Sequence, residues 1–330
     1  MVPKDEFPHE VAQWLAAERG LELRQARPVG GGCIHSAWCL TLVGSPASAA
    51  PLAGSGEPPG ASSRQLFAKT NRAESLPVLE AEAEGLAALM QAAEGRGVQV
   101  PQPLAVGRAG AHAVLLLPWF DLERGSNPAA TAAWKALGAG LARLHRGSLG
   151  RRCTPGDQPE QFGWPRDNAI GSSPQCNSWR ASWGDFFAEC RLRPQLERLE
   201  RANGPLRGAS SLLEQVPHWL EGHRADPCLV HGDLWSGNAA LTAAGGGVIF
   251  DPAVHRGDRE VDLAMAQLFG GFPNAFFQGY ESSWPLAANH RRRVPLYNLY
   301  HLLNHANLFG GSYTAQAEAV IRELLANPPI

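Results

Sequence analysis

Lysine is nearly absent from this chain, which has 330 residues and only Lys4, Lys69 and Lys135 among 29 lysines and arginines. The formal net charge is −2, so no basic excess indicates nucleic acid binding and no acidic tail indicates disorder. No stretch reaches the roughly 18 to 20 apolar residues that cross a bilayer. The first ten residues also lack the apolar core of a secretory signal. We therefore expect a cytoplasmic protein without a membrane or nucleic acid partner.

Metal-binding cysteine spacing is also missing. The chain has six cysteines, and they are Cys33, Cys39, Cys153, Cys176, Cys190 and Cys228. None of them forms a C-x-x-C pair, so we do not expect a zinc centre. In a chain of this length the cysteines need not be a disulfide framework either. We interpret most of them as small buried apolar residues.

The first third of the sequence predicts strands around a glycine turn. Residues 8–19 carry apolar residues at helical spacing, and extended segments at 21–29 and 34–43 flank three consecutive glycines. Residues 44–64 are rich in Gly, Pro, Ala and Ser, which indicates a low-complexity insertion that cannot fill a core. The segments after the insertion alternate between strand and helix: strand 65–70, helix 77–94, and strands 104–106 and 113–117.

After Pro118 the pattern becomes mostly helical. The predicted helices are 128–147 with Asn127 as its cap, 179–202, 210–223, 258–270, 275–283, 290–309 and 314–326. Residues 162–178 are predicted as a loop, and 229–251 hold short apolar runs between turns. We therefore predict an α+β protein of two lobes. Residues 1–117 would form a small antiparallel-sheet lobe with one main helix, and 118–330 a larger, mostly helical lobe.

The strongest chemical signal is L-V-H-G-D-L-W-S-G-N at 229–238, followed by Asp251 after a second apolar run. Phosphoryl transfer needs a carboxylate to accept the hydroxyl proton, and oxygen ligands that hold Mg²⁺ against nucleotide phosphates. Asp233, Asn238 and Asp251 supply these groups in the order of the kinase H-R-D-x-x-x-x-N loop and its later metal-binding Asp. We predict Asp233 as the catalytic base and Asn238 and Asp251 as metal ligands. An ordinary turn and a helix cap are the alternatives.

The glycine turn is a weaker signal for the same chemistry. Backbone N–H groups at Gly31, Gly32 and Cys33 can approach phosphates because no large side chain obstructs them. Glycine turns between strands are more often plain hairpins, so this segment gains weight only from the motifs that follow it.

Lys69 is the third signal, because a rare lysine stands inside the strand-like segment L-F-A-K-T. A single cation there can reach the α- and β-phosphates if a helix carboxylate holds it. Glu82 shares a helix face with Leu86 and Leu89, whereas Glu80 and Glu84 fall on other faces. We therefore choose Glu82 as the partner of Lys69. A solvated lysine beside an ordinary charged helix is the alternative.

With these motifs the chain resembles the fructosamine kinase (ketosamine 3-kinase) family, which is related to aminoglycoside and choline kinases. The resemblance runs from about Gly30 to Phe309, interrupted by the insertion. The segments that carry it are G-G-C-I at 31–34, E-A-E-A-E-G-L at 80–86, F-G-W at 162–164 with Asn168 and I-G at 170–171, H-G-D-L-W-S-G-N at 231–238, D-P-A-V at 251–254, G-D-R-E at 257–260, D-L-A-M at 262–265 and L-Y-H-L-L-N-H at 299–305.

The resemblance implies a protein-kinase-like fold, with ATP bound between the lobes and Mg²⁺ on its phosphates. It also implies phosphorylation of a ketosamine at a sugar hydroxyl, O3, after which the product breaks down and frees the amine. The residues implied in nucleotide binding are Gly31, Gly32, Cys33, Lys69, Glu82, Leu117 and Trp119. The residues implied in substrate binding are Trp235, His231, Asn168 and His305.

Several alternatives stay open at this point. The substrate could be a free or a protein-bound ketosamine, and the chain a monomer or a redox-linked dimer through Cys33. Other readings are a kinase of another small alcohol or amino sugar, and a catalytically inactive nucleotide-binding module. Trp235 is either a wall of the sugar pocket or a core aromatic. The segment 258–262 is interpreted mainly as a helix-start network that supports the catalytic loop.

Overall fold

The computed structural model describes residues 6–30, 34–43, 64–123 and 127–329. The chain divides into two compact units, one of residues up to 83 with 101–121, the other of residues 84–100 with 122 onward. Gly31, Gly32, Cys33 and all but the last residue of the predicted insertion lie outside the described residues. The lobe boundary predicted at 117/118 stays a prediction.

The first unit is built on one five-stranded sheet, as the sequence predicts. Its elements, with one helix that continues into the second unit, are α1 (His9–Arg19), β1 (Glu22–Val29), β2 (Ser36–Val43), β3 (Arg64–Arg72), α2 (Leu76–Ala93), β4 (Ala105–Ala109) and β5 (His112–Pro118). The strand order is β1-β2-β3-β5-β4, and every neighbouring pair is antiparallel. The expected antiparallel sheet is therefore confirmed.

Alternation along β3 separates a core face from a polar face. Leu66 and Ala68 pack in the cluster that also buries Val11 and Leu15 of α1. Because successive strand side chains point to opposite faces, Lys69 points away from that cluster. The lysine is nevertheless only 6% exposed, so the solvated alternative is wrong.

The second unit is mostly helical, as predicted, and it also contains short strand pairs that the sequence does not predict. Its elements are β6 (Leu122–Glu123), α3 (Pro128–Gly147), β7 (Asn168–Ile170), β8 (Ser173–Gln175), α4 (Trp183–Phe186), a π-helical turn (Phe187–Leu192), α5 (Arg193–Asn203), α6 (Ala209–Glu221), β9 (Cys228–Val230), β10 (Ala239–Thr242), β11 (Gly246–Ile249), β12 (His255–Gly257), α7 (Glu260–Leu268), α8 (Asn274–Ser283), α9 (His290–Phe309) and α10 (Ser312–Ala326). The predicted cap is present, because Asn127 Oδ1 accepts from Ala130 N at 2.8 Å.

Two local predictions need correction. The segment 162–178, expected as a loop, contains the β7–β8 hairpin, whose strands are too short to show a period in sequence. The helix expected from residue 179 begins only at Trp183, where the Ser182 hydroxyl accepts from Asp185 N at 3.3 Å. That helix also passes through the π-helical turn before α5.

Close helix packing fixes the second unit around α3 and α8. An added Cβ at Gly138 would lie 1.9 Å from the Phe276 carbonyl oxygen, and one at Gly279 would lie 1.9 Å from Lys135 O. Only glycine allows this approach at both positions. Within the described ranges, no helix combines the length and apolarity that crossing a membrane requires.

Candidate active site

Two short strand pairs bring the predicted catalytic residues to one place. In the β10–β11 hairpin Ala239 pairs with Ile249, so the residue before β10 lies beside the residues after β11. Phe250 N accordingly donates to Asn238 O at 3.0 Å. The segment 231–238 joins β9 to β10. The pairing of each of these two strands with its own partner therefore fixes where this segment begins and where it ends.

Asn238 contacts both predicted acidic partners through its side-chain amide. Its Nδ2 donates to Asp233 Oδ2 at 3.2 Å and to the Asp233 carbonyl at 2.9 Å. The same nitrogen lies 3.3 Å from the Asp251 carbonyl oxygen. The structure therefore brings together the three residues that the spacing singled out. These contacts hold the amide group in place and turn its oxygen away from the acceptor oxygens of Asp233 and Asp251.

The backbone at Asp251 is strained. Its φ is 57°, and among the described residues it is the one non-glycine with positive φ. Asp tolerates this left-handed conformation better than most residues, but it still costs free energy. Such strain is concentrated at active sites and ligand clamps. The left-handed backbone at Asp251 changes the direction of its side chain directly after β11.

Asp233 carries an unusual charge environment. Burial first, and then the negative charge of Asp251, raise the pKa of its carboxyl to about 7, against the lowering effect of the Asn238 hydrogen bond. A carboxylate that titrates near neutrality suits a proton acceptor, because efficient general bases have a pKa close to the working pH. A cation beside Asp251 would lower that pKa by offsetting the Asp251 charge.

The loop that carries Asp233 is held through its backbone by Asp262 of α7. The Asp262 carboxylate accepts from His231 N and from Gly232 N, both at 2.8 Å. It also lies 3.1 Å from His145 Nε2, and both side chains are buried. The expected support of the catalytic loop by this segment is thus visible as direct hydrogen bonds.

Sequence reasoning missed His145. This residue lies in α3, and its other ring nitrogen contacts the Tyr280 hydroxyl at 2.9 Å. The available signal was a histidine on a helix face otherwise occupied by Leu137, Leu141 and Leu144. A polar residue on an apolar face needs a buried partner, but the sequence does not say that Asp262 is that partner.

The H-G-D turn itself leaves no room for substitution. Gly232 has φ 80°, and an added Cβ would lie 2.1 Å from the Ala253 carbonyl oxygen. His231 is fully buried, with Nε2 3.0 Å from Phe250 O and Nδ1 3.3 Å from Asp233 N. The neutral tautomer with a proton on Nε2 satisfies both contacts. His231 therefore orders the loop, and its predicted contact with substrate stays a prediction.

Trp235 lies at the surface of the catalytic loop. Its side chain is 38% exposed, so the core-aromatic alternative is wrong. Its ring covers Gly237, where an added Cβ would lie 2.3 Å from Trp235 ring atoms. The glycine therefore lets the indole lie flat against the loop with one face available.

The other two predicted substrate residues have different settings. Asn168 Nδ2 donates to Val254 O at 2.9 Å, and its Oδ1 accepts from Gln175 and Asn177, so it braces the chain that follows Asp251. His305 is half-buried, and its ring packs 4.7 Å from the ring of Phe269. Their predicted contacts with substrate stay predictions.

In the first unit, the predicted ion pair is present. Lys69 Nζ lies 2.7 Å from Glu82 Oε1, as the helix-face argument selected, while Glu80 is exposed. Leu117 is buried in β5, and Trp119 Nε1 donates to Asp121 at 2.9 Å. The nucleotide contacts predicted for these residues stay predictions, and Gly31, Gly32 and Cys33 lie outside the described residues.

Comparison with known sequences gives one consistent family. Residues 8–327 match the sequence profile described as fructosamine kinase. A probable ketoamine kinase of Synechocystis sp. is 39% identical over 317 residues, covering 96% of each chain. The chloroplastic protein-ribulosamine 3-kinase of Oryza sativa subsp. japonica is 32% identical, covering 96% of this chain and 83% of the rice protein.

Comparison with solved structures supports the fold. A Thermobifida fusca protein assigned as a fructosamine-3-kinase is 28% identical, with a TM-score of 0.76 over 96% of this chain and 98% of that one. An aminoglycoside phosphotransferase in complex with AMP-PNP and hygromycin B is 14% identical, with a TM-score of 0.60 over 96% and 98%. The predicted α+β, protein-kinase-like fold class is confirmed.

Proposed function

The chain belongs to the fructosamine kinase family, and we propose that it transfers a phosphoryl group from ATP to a ketosamine. The acceptor is a sugar hydroxyl, O3, of a fructosamine or ribulosamine type substrate. The names of the Synechocystis and rice relatives support this substrate class, and the AMP-PNP complex of the aminoglycoside phosphotransferase supports ATP as the donor. Decomposition of the 3-phosphate would free the amine, which makes the reaction a deglycation step.

One observation carries the proposal: Asn238 joins Asp233 to Asp251 through a single amide group. Asp233, with a pKa raised to about 7 first by burial, is the group that accepts the proton of the acceptor hydroxyl. The Asp262 hydrogen bonds keep the loop in place during that transfer. Catalysis of phosphoryl transfer is largely positioning, and this network supplies positioning.

The donor set at this site fits Mg²⁺. Asn238 uses its N–H groups on Asp233 and Asp251, so its oxygen is the atom left for a cation, and Asp251 adds a carboxylate. Oxygen ligands of this kind are those that Mg²⁺ prefers. When bound, the ion supplies charge neutralisation at the nucleotide phosphates. Lys69, fixed by Glu82, is the protein cation proposed to contact phosphates.

Trp235 is proposed to bind the sugar. Its exposed indole lies two residues after Asp233 on the same loop. A flat apolar ring packs well against the C–H face of a sugar. This placement would orient one hydroxyl toward Asp233 while the amine substituent stays outside.

A coupled assay of ATP consumption with fructosyl-, ribulosyl- and erythrulosyl-amines tests the proposal. We expect turnover that depends on the ketosamine, and a fall of about 10³-fold or more for Asp233→Ala, because the positioned base is removed. The matched control is Asp226→Ala, which changes an exposed aspartate of the same unit and should keep full turnover.

Product analysis separates the proposal from its nearest alternatives. A phosphate on O3 of the sugar is the expected product. Turnover of aminoglycoside or choline-like acceptors, with none of the ketosamines, would make the chain a kinase of another alcohol. Unchanged turnover in Asp233→Ala would contradict the role given to Asp233.

A further inference from the structure

Two cysteines outside the candidate active site lie side by side in the second unit. Cys176 follows β8 and is half-buried, whereas Cys190 is 2% exposed and belongs to the π-helical turn. Both side chains contact the same residue, Ser178, and the thiol of Cys176 contributes to the electrostatic environment of Cys190. These residues come from different chain segments, so their meeting is a product of the fold.

A buried arginine fixes the two backbones. Arg191 Nη1 donates to the Cys176 carbonyl at 2.5 Å and to the Cys190 carbonyl at 3.0 Å. Its Nη2 donates to Asn177 Oδ1 at 2.8 Å, and the side chain is only 1% exposed. One guanidinium therefore binds the backbone carbonyls of both cysteines and keeps the two segments together.

Ser178 contacts both sulfur atoms. The Cys176 Sγ lies 3.5 Å from the Ser178 hydroxyl, and the Cys190 Sγ lies 3.6 Å from the Ser178 carbonyl oxygen. The π-helical turn contributes to this proximity, because its consecutive residues Cys190 and Arg191 both hydrogen-bond to the segment 176–178. Such turns are rare and occur frequently at functional sites.

The two thiols differ in access. Cys176 lines a cavity of about 190 Å³ together with Asp167, Gln195 and Arg198. Cys190 lies behind it, and burial raises the pKa of its thiol to about 12, so it stays protonated. A small oxidant entering the cavity therefore meets Cys176 first, since thiol oxidation follows exposure and thiolate character.

We propose that Cys176 and Cys190 are a modification site, at which a peroxide drives formation of a reversible intramolecular disulfide. In the first step the Cys176 sulfur attacks the peroxide O–O bond, which gives a sulfenic acid and water. In the second step the Cys190 sulfur attacks the sulfur of that sulfenic acid, the S–S bond forms as the S–O bond breaks, and the hydroxyl takes the Cys190 thiol proton and leaves as a second water. The two sulfurs together lose two electrons, and hydrogen peroxide gains them.

The crosslink would reach the chain that follows Asp251. Gln175, next to Cys176, donates to Asn168 Oδ1 at 2.8 Å and to the Ala253 carbonyl at 3.1 Å. Oxidation would tie this hydrogen-bonded segment covalently to the turn before α5. The site is thus placed to couple thiol oxidation to the chain beside the candidate metal ligands.

Peptide mapping by mass spectrometry tests the proposal without any assay of turnover. The full chain carrying Cys33→Ser, which removes the cysteine of the glycine turn, is treated with hydrogen peroxide and then alkylated after unfolding. We expect the loss of two titratable thiols, one peptide that links Cys176 to Cys190, and recovery of both thiols with dithiothreitol. Cys176 found as a sulfinic acid, or linked to another cysteine, would overturn the proposal.

Two further variants in that background separate the partners. Cys176→Ser should keep the Cys190 thiol titratable after peroxide treatment, and loss of that thiol in this variant would refute the assignment. Cys190→Ala, with its fold checked by circular dichroism, should stop at a sulfenic acid on Cys176 that a dimedone probe traps. Cys39→Ala is the matched control, because Cys39 is also 2% exposed and its removal should leave the linked peptide unchanged.

Discussion

Two acidic clusters lie beyond opposite ends of the same antiparallel strand pair, β9 and β12. The first, which follows β9 and is the proposed catalytic cluster, consists of Asp233, Asn238 and Asp251. The paired cluster, which follows β12, consists of His223, Asp258, Glu260, Arg293 and Tyr297. Asp258 and Glu260 are buried, whereas Asp233 and Asp251 are half-buried, so all four carboxylates are at least partly withdrawn from solvent.

The difference lies in how each carboxylate is compensated. Asp258 accepts from Tyr297 at 2.7 Å and lies 2.6 Å from His223 Nε2. Burial works to raise the pKa of Asp258, but the contacts with His223, Tyr297 and the Glu260 backbone together lower it. Glu260 forms two bonds of 2.7 and 2.8 Å with Arg293, although burial still raises its pKa. Among the described residues, the side-chain hydrogen-bond partner of the Asp233 carboxyl is a neutral amide, Asn238, and the pKa of Asp233 stays raised.

The first turn of α7 serves both clusters. Glu260 contacts Arg293, and Asp262, two residues later, contacts the catalytic loop. Residues two apart lie on nearly opposite sides of a helix, because each residue turns it by about 100°. A single helix start can therefore anchor a structural ion pair on one side and a catalytic loop on the other.

The largest effect on stability is expected from Glu260→Ala. Removing the carboxylate leaves Arg293, 2% exposed, as an unpaired buried cation, which costs about 3–5 kcal/mol. Urea or guanidinium unfolding measures the loss, and turnover per folded molecule at low temperature should be kept. Glu200→Ala, at an exposed site in α5, should cost less than about 0.5 kcal/mol. A loss of turnover without a loss of stability would reverse the roles assigned to the two clusters.

Asp262→Asn should affect both properties to a smaller degree. The amide keeps one acceptor but faces two backbone donors, at His231 and Gly232, so about 2 kcal/mol of stability should be lost. Displacement of the loop should lower kcat by about 10- to 100-fold, as for residues that orient active-site groups. Steady-state kinetics measures this, with KM for ATP expected to change much less. A stability loss with unchanged kcat would show that the loop needs no such support.

Much of the candidate site could be predicted because its signals are local. Asp233 and Asn238 belong to one loop, and Asp251 ends the hairpin that follows it, so spacing alone places the three together. The choice of Glu82 for Lys69 rested on helix periodicity, which the structure follows. Local patterns also gave the helix boundaries at Gly20 and Asn127, where the stop and the cap are single residues.

What the sequence did not reveal depends on long-range contacts. His145 contacts Asp262 although the two are 117 positions apart, and no local pattern around either residue indicates the other as its partner. Cys176 comes close to Cys190 through Arg191, which binds the Cys176 carbonyl from the π-helical turn that also carries Cys190. That turn has no recognisable periodicity in the sequence. The pattern of residues thus predicts elements and motifs, while packing decides which polar groups share a partner.

The pH dependence of stability should separate the clusters by sign. A folded-state pKa of about 7 at Asp233 lies above the ordinary carboxyl value of about 4, so the native state keeps a proton that the unfolded chain releases. Stability from this group is present below pH ~4 and is lost as pH rises toward ~7. Without divalent cation, Asp233→Asn should therefore gain about 1–2 kcal/mol relative to the native chain between these limits, after allowance for partial exposure.

Thermal unfolding at several pH values measures this gain. Asp226→Asn, exposed and outside both clusters, should show the same pH profile as the native chain. Asp258→Asn should show the opposite trend, because its lowered pKa makes Asp258 stabilising above pH ~4. A pH-independent difference for Asp233→Asn would mean that Asp233 is ionised in the folded chain without a bound cation.

The smallest effect is expected at Trp235, whose 38% exposed ring belongs to the loop of the catalytic cluster but to none of its hydrogen bonds. Trp235→Leu removes a flat sugar-binding face, so KM for the ketosamine should rise about 5- to 10-fold, near 1 kcal/mol, with kcat and stability little changed. Trp284→Leu is the matched control, since that ring packs on the Arg259 guanidinium beyond the other end of the β9–β12 pair. An equal rise of KM in both variants would mean that the Trp235 ring acts only through packing. A ring that contacts the substrate should raise KM only when Trp235 itself is replaced.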